Sequence, residues 1–202
     1  MPSPNTASLI DAWNTVTFEQ YNTLAGSHRE AYQAGHRPGG IVRIDKNRLL
    51  IPQPLPPNVF GEPQPQNSIH FPHVNGTQGI PLQVLVERGT EGLQMHMKGA
   101  LDMPVPKARY IHLHILWPGM STQFEYKKRI PAAVNGMPLT RAQIGHQVAV
   151  AYFEFFRSLS TRGMSTKGLA WDVNHIGIHK LAVLSVCNIA DEHWQAELAI
   201  MI

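Results

Sequence analysis

The chain has 202 residues, 43% of them hydrophobic, 15% charged, and a formal net charge of +3. That supports one domain with a real core, against a usual charged share of about 25%, and excludes a strongly basic nucleic-acid binder, which concentrates cations on one face. The single cysteine, Cys187, rules out an internal disulfide and a multi-cysteine zinc finger.

Met1-Pro2-Ser3-Pro4-Asn5 lacks the basic and apolar regions of a signal peptide, and no apolar run reaches the ~18 residues of a membrane span. The expectation is an intracellular protein, cytoplasmic or nuclear. Residues 6–35 carry Leu9, Trp13, Val16, Phe18, Tyr21 and Leu24 in a broken apolar stripe, and the glycine-rich stretch from Gly35 to Gly40 ends it. An N-terminal helical segment over 1–40 is expected. Ile41 to Ile51 reads as a strand pair around Asp45-Lys46-Asn47. Seven of the sixteen prolines then fall between Pro52 and Pro72. Proline fixes φ and removes a donor, so 41–78 is taken as an extended, proline-rich connection and 79–202 as the core domain.

Ile80–Val86 and Leu93–Lys98 alternate, with Arg88-Gly89-Thr90-Glu91-Gly92 between them at hairpin length. Tyr110–Trp117 alternates more clearly. Ile111, Leu113, Ile115 and Trp117 share one face, His112, His114 and Leu116 the other, and Pro118-Gly119 stops the strand. Phe124–Ile130 is a short fourth strand. Thr140-Arg141-Ala142-Gln143 fits a capping box. The helix it opens, about 140–159, aligns Ile144, Val148, Ala151, Tyr152, Phe155, Phe156 and Leu159, while Val150 and Phe153 fall outside that stripe. Leu181–Ile189 and Trp194–Ile202 close the chain as two strands. The expected fold is α+β: a mostly antiparallel sheet of five to six strands with the long helix across one face.

The nucleotide-binding glycine motifs and GxSxG are absent. Cys187 sits in an apolar run, which points to a buried thiol. Glu87, Glu125 and Asp172 stand apart in sequence with nothing to pair them. His112 and His114 lie two apart on a strand, about 7 Å at Cα and on one face, so both imidazoles can converge on one divalent metal, zinc or iron. If the 80–98 hairpin pairs suitably, His96 joins them, with His70, His73 or His175 as further ligands. His-x-His on a strand resembles the cupin motif, but Pro118 and Gly119 occupy the places of its glutamate. His175 and His179 have helical ligand spacing in a stretch that reads as extended, where i and i+4 lie about 13 Å apart. Lys127, Lys128 and Arg129, beside Phe124 and Tyr126, are the densest basic cluster. They are either a nucleic-acid or anion contact or the charged end of a strand.

Ile115-Leu116-Trp117-Pro118-Gly119, then Lys128-Arg129-Ile130, then Pro138-Leu139-Thr140-Arg141 before a helix, resembles an uncharacterised family of hypothetical proteins from mushroom-forming fungi. The resemblance covers about 109–202 and has Met120 where the family motif has tyrosine. It implies a basic strand after the LWPG stop, a helix start at Thr140 and a closing pair of strands. It implies no activity, cofactor or site residue.

The leading expectation is a non-enzymatic binding domain for a protein partner or a second copy of itself, with no cofactor and no membrane. It rests on the helix's extra apolar residues, the proline-rich run and the apolar last strand. The alternative is a metal-dependent enzyme using His112 and His114. Nucleic-acid binding through Lys127, Lys128 and Arg129 stands third.

Overall fold

The computed structural model describes residues 43–51, 53, 54, 56, 68–104, 109–162, 171, 172 and 176–202. The expected helix over 6–35, most of the proline-rich run and His175 lie outside them.

The fold is α+β. Strands β1 (Arg43–Asp45), β2 (Arg48–Ile51), β3 (Ser68–His70), β4 (Ile80–Pro81), β5 (Tyr110–Ile115), β6 (Tyr126–Pro131), β9 (Leu181–Ala190) and β10 (His193–Met201) make one sheet. A separate ribbon joins β7 (Ala133–Val134) to β8 (Met137–Pro138). Asn135 and Gly136 turn that ribbon with φ of 53° and 78°, the two positive values that a two-residue hairpin of type I′ needs.

The sheet runs β1-β2-β10-β5-β6, and β9 lies on the other edge of β10 with β3 and β4 beyond it. Every pairing within it is antiparallel except β5 with β10, which is parallel. One edge of β10 is thus shared by β5 and β2, the other taken by β9. The last strand is internal to the sheet and does not present an edge to another chain. Residues 41–78, read as a connection, supply β1, β2 and β3.

Among the described residues there are three whole α-helices: α1 (Leu82–Glu87), α2 (Gly89–Gly92) and α3 (Arg141–Thr161). The capping box at Thr140 forms: its hydroxyl accepts from Gln143 N–H at 3.2 Å, and the Gln143 side chain accepts from Thr140 N–H at 2.8 Å. That satisfies two helix-end donors at once. Ile144, Val148, Ala151, Tyr152 and Phe155 are buried against Ile111, Leu113, Ile115, Trp194, Ala196 and Leu198. Phe156, within the expected stripe, and Phe153, outside it, also pack on this core, with Phe156 edge-on to Trp117 at 5.1 Å between ring centres. Of the two apolar residues outside the stripe, Phe153 is therefore taken up within the chain, whereas Val150 is half-buried and does not belong to this core.

The hairpin expected over 80–98 is not there. Only Ile80–Pro81 is strand; α1, α2 and a 3-10 turn at Leu93–Met95 replace the rest. The run from Leu82 to Glu87 suits both periods, since Leu82 and Leu85 are three apart, and both are fully buried. What decides is the seat below. Gly145, at the start of the second turn of α3, has no Cβ, and one built there would meet Leu85, Phe71 and Met97 at 3.1, 3.2 and 3.3 Å. A helical turn settles into that seat, and His146 Nδ1 bonds the Leu85 carbonyl at 2.8 Å. No helix among the described residues is long and apolar enough to cross a membrane.

Candidate functional site

Alternation along β5 and β10 sends half their side chains into the core beneath α3 and half to the opposite face. The second set is polar where β5 and β10 pair; further along β10, Ala199 joins Ile44 and Leu184 in a small apolar cluster on that face. Register pairs His112 with Arg129 of β6 and with His193 of β10, and pairs His114 with Lys127 and with Gln195. Cross-strand partners share a face, so two rows form: Arg129–His112–His193 and Lys127–His114–Gln195. The His112 and His193 rings are centred 5.6 Å apart, those of His114 and His193 4.9 Å.

His114 is 1% exposed. Its Nδ1 lies 2.5 Å from Glu125 Oε1 and its Nε2 lies 2.7 Å from His193 Nδ1. The Glu125 side chain is only 7% exposed, and its other oxygen faces Lys127 Nζ at 3.3 Å. An ionised carboxylate only accepts hydrogen bonds. The His114 Nδ1–H therefore donates to Glu125, the His114 Nε2 lone pair accepts from His193 Nδ1–H, and the His193 Nε2 lone pair is left facing away from the buried pair. Burial holds His114 below the ordinary imidazole range; Glu125 opposes this, while His193 and Lys127 add to it. The neutral ring required by this hydrogen-bond order is the form that burial favours.

Around this chain, His112 is 3.6 Å from Glu192, with both side chains more than a third exposed. Arg129 lies over the Tyr110 ring at 4.5 Å and Arg109 lies 5.5 Å from the same ring. Gln195 donates to the Pro54 carbonyl at 2.6 Å, which ties one proline of the 52–72 run to this face.

His112 and His114 do share a face, as their spacing predicts. His96 is placed elsewhere, at the end of the 3-10 turn with His73 as its ring neighbour at 6.1 Å, because the hairpin that was to carry it toward β5 is helical. Both nitrogens of His114 are engaged, so a metal on it would have to displace Glu125 or His193. Among the described residues, no three His, Cys, Asp or Glu side chains are arranged to hold a metal ion.

The basic cluster divides. Lys128 points to the helix side and bonds both Glu154 oxygens at 2.7 and 2.9 Å, where Tyr126 also donates at 2.6 Å. Lys127 and Arg129 lie on the histidine face. Their strand, β6, ends the sheet's path, where charged side chains discourage further strand addition. Cys187 is a buried thiol, 3.4 Å from the Ser68 hydroxyl and 3.3 Å from that of Ser185.

Sequence reasoning missed Glu125 and His193. Glu125 stands 11 residues from His114 and His193 stands 79 away. Only the turn at Pro118-Gly119 and the parallel β5–β10 pairing bring them together. The one local signal is the return of β6 alongside β5, which places residues just before Tyr126 near the end of β5.

Comparison of the chain with protein-family models, with curated proteins and with solved structures finds no match.

Proposed function

We propose that the protein is a binding domain whose recognition surface is the histidine face of the sheet, and that its ligand is anionic. The observation that carries this reading is the cross-strand row Arg129–His112–His193. Arg129 is exposed and supplies a planar fork suited to carboxylate or phosphate oxygens. His112 and His193, both partly exposed, add ring nitrogens on the same line. Lys127 and Arg109 add positive charge at its margins, and Glu192 is the acidic residue beside His112. Recognition by an extended nucleic-acid backbone has less support, since Lys128 is turned to Glu154.

The test uses inorganic phosphate as probe, followed through the imidazole resonances of the full chain. Phosphate is expected to shift His112 and His193, more weakly as salt rises, and Arg129→Ala is expected to weaken the response several-fold. Unchanged His112 and His193 signals at millimolar phosphate would sink the anion reading.

A further inference from the structure

We propose that Glu125, His114 and His193 form a proton relay, and that His193 Nε2 is the acid–base group of a hydrolytic activity toward small anionic esters held on this face. The relay stands on side-chain geometry; only the preference for an anionic ester rests on the binding reading above.

A lone surface histidine exchanges freely between tautomers. His193 is not in that position. Its Nδ1 faces His114 Nε2 at 2.7 Å, and His114 is anchored on its far side by Glu125 at 2.5 Å. A third group orienting the base through a second is the general logic of a catalytic triad. Here two imidazoles in series separate the carboxylate from the working nitrogen. The inner members are buried and the outer ring is partly exposed, so the chain runs from protein interior to surface. Structural packing alone does not call for that direction.

The rings of His112 and His114 from β5 face His193 directly; behind them, Glu125 meets His114 and Lys127 meets Glu125, Arg129 of β6 pairs with His112 in register, and Glu192 precedes His193 in the β9–β10 turn. Of these, Glu125 acts through His114, and Glu192 lies beside His112.

In the proposed step, a water oxygen attacks the ester carbonyl carbon while His193 Nε2 takes one of its protons. The new C–O bond forms and the bond to the leaving oxygen breaks with its electron pair. His193 then returns the proton to that oxygen, so ester and water give acid and alcohol. Positive charge on His193 is stabilised through the polarised His114 by the Glu125 carboxylate. Arg129, beside His112 in register, holds the ester's own negative charge.

Two measurements on the full chain test this. The first is nitrogen-15 NMR of the imidazole rings, which needs no variant. The relay requires both His114 and His193 to carry their proton on Nδ1; an Nε2–H tautomer at either ring overturns it. The second is hydrolysis of 4-nitrophenyl acetate, which is neutral, and of mono-4-nitrophenyl glutarate, which is anionic. His193→Gln is expected to lower kcat for both about a hundredfold, within the range for a general base. Glu125→Gln, a positioning change, is expected to lower kcat about tenfold with KM unchanged. Equal rates in His193→Gln and the parent would overturn the proposal. Arg129→Ala should raise KM for the glutarate ester alone. If it does not while His193→Gln still loses activity, the anion reading fails and the relay stands.

Discussion

The two faces of β5 and β10 are built from the same strands by opposite means. The face beneath α3 is apolar, continuous and held by many small contacts. Trp117 there is fully buried, edge-on to Phe156, and its indole N–H donates to the Trp171 carbonyl at 2.5 Å. The other face has few partners, but each is specific: His114 has one for each nitrogen. Loss of volume on the first face is shared among neighbours, which relax in part. Loss of one partner on the second leaves a buried polar atom with nothing to replace it.

The largest expected effect is on the apolar face. Trp117→Ala should cost about 3–5 kcal/mol, measured by denaturant unfolding, and should leave the imidazole tautomers of any remaining folded population unchanged. A loss below about 1 kcal/mol would mean that the core is not organised around this ring.

On the polar face, Glu125→Ala strands the His114 Nδ1–H and should cost about 1–3 kcal/mol, while Glu125→Gln, which keeps an acceptor, should cost less. Equal losses in the two variants would remove hydrogen bonding as the cause. The same face carries an acid sensitivity. The folded chain holds His114 below the usual imidazole range, chiefly by burial. Below about pH 6.5 the unfolded chain binds a proton there that the folded chain does not. This contribution to stability is complete above that pH and is lost as pH falls toward the folded value. The thermal midpoint should drop across that window, and His114→Gln should flatten the drop; an unaltered slope in that variant would count against it.

A smaller effect is expected where α1 sits on α3. Gly145→Ala gains about 1 kcal/mol of helix propensity, but the new methyl meets three buried side chains at 3.1–3.3 Å. Overpacking costs about 1–3 kcal/mol, so the net change should be a loss of about 1 kcal/mol. A net gain would show that the seat is looser than its distances imply. Smallest is His112→Ala. The side chain is 37% exposed, and the change should stay within about 0.5 kcal/mol while removing a phosphate-sensitive resonance.

Much of the fold could be read locally. The β1–β2 turn, the alternation of β5, the Thr140 capping box and the closing strand pair all depend on residues within a few positions of one another. The 82–98 region could not, because a six-residue run with Leu82 and Leu85 suits a strand and a helix alike. The Asn135-Gly136 hairpin had a local signal that sequence reading passed over. The candidate site was half legible. The spacing of His112 and His114 placed them on one face, but the same reading offered them only an alternative role, as metal ligands, and took Glu125 as isolated.

By itself, the sequence determined which residues turn inward along each strand, where α3 begins and that one cysteine forms no bridge within the chain. These follow from the two-residue and 3.6-residue periods of the backbone and from hydrogen bonds that close within one turn. Tertiary structure decided that β5 lies parallel to β10, that helical turns fill 82–95 over the Gly145 seat, and that His114 stands between Glu125 and His193. Those outcomes depend on register between distant segments, and a side chain's identity sets its face without setting which strand lies next to it.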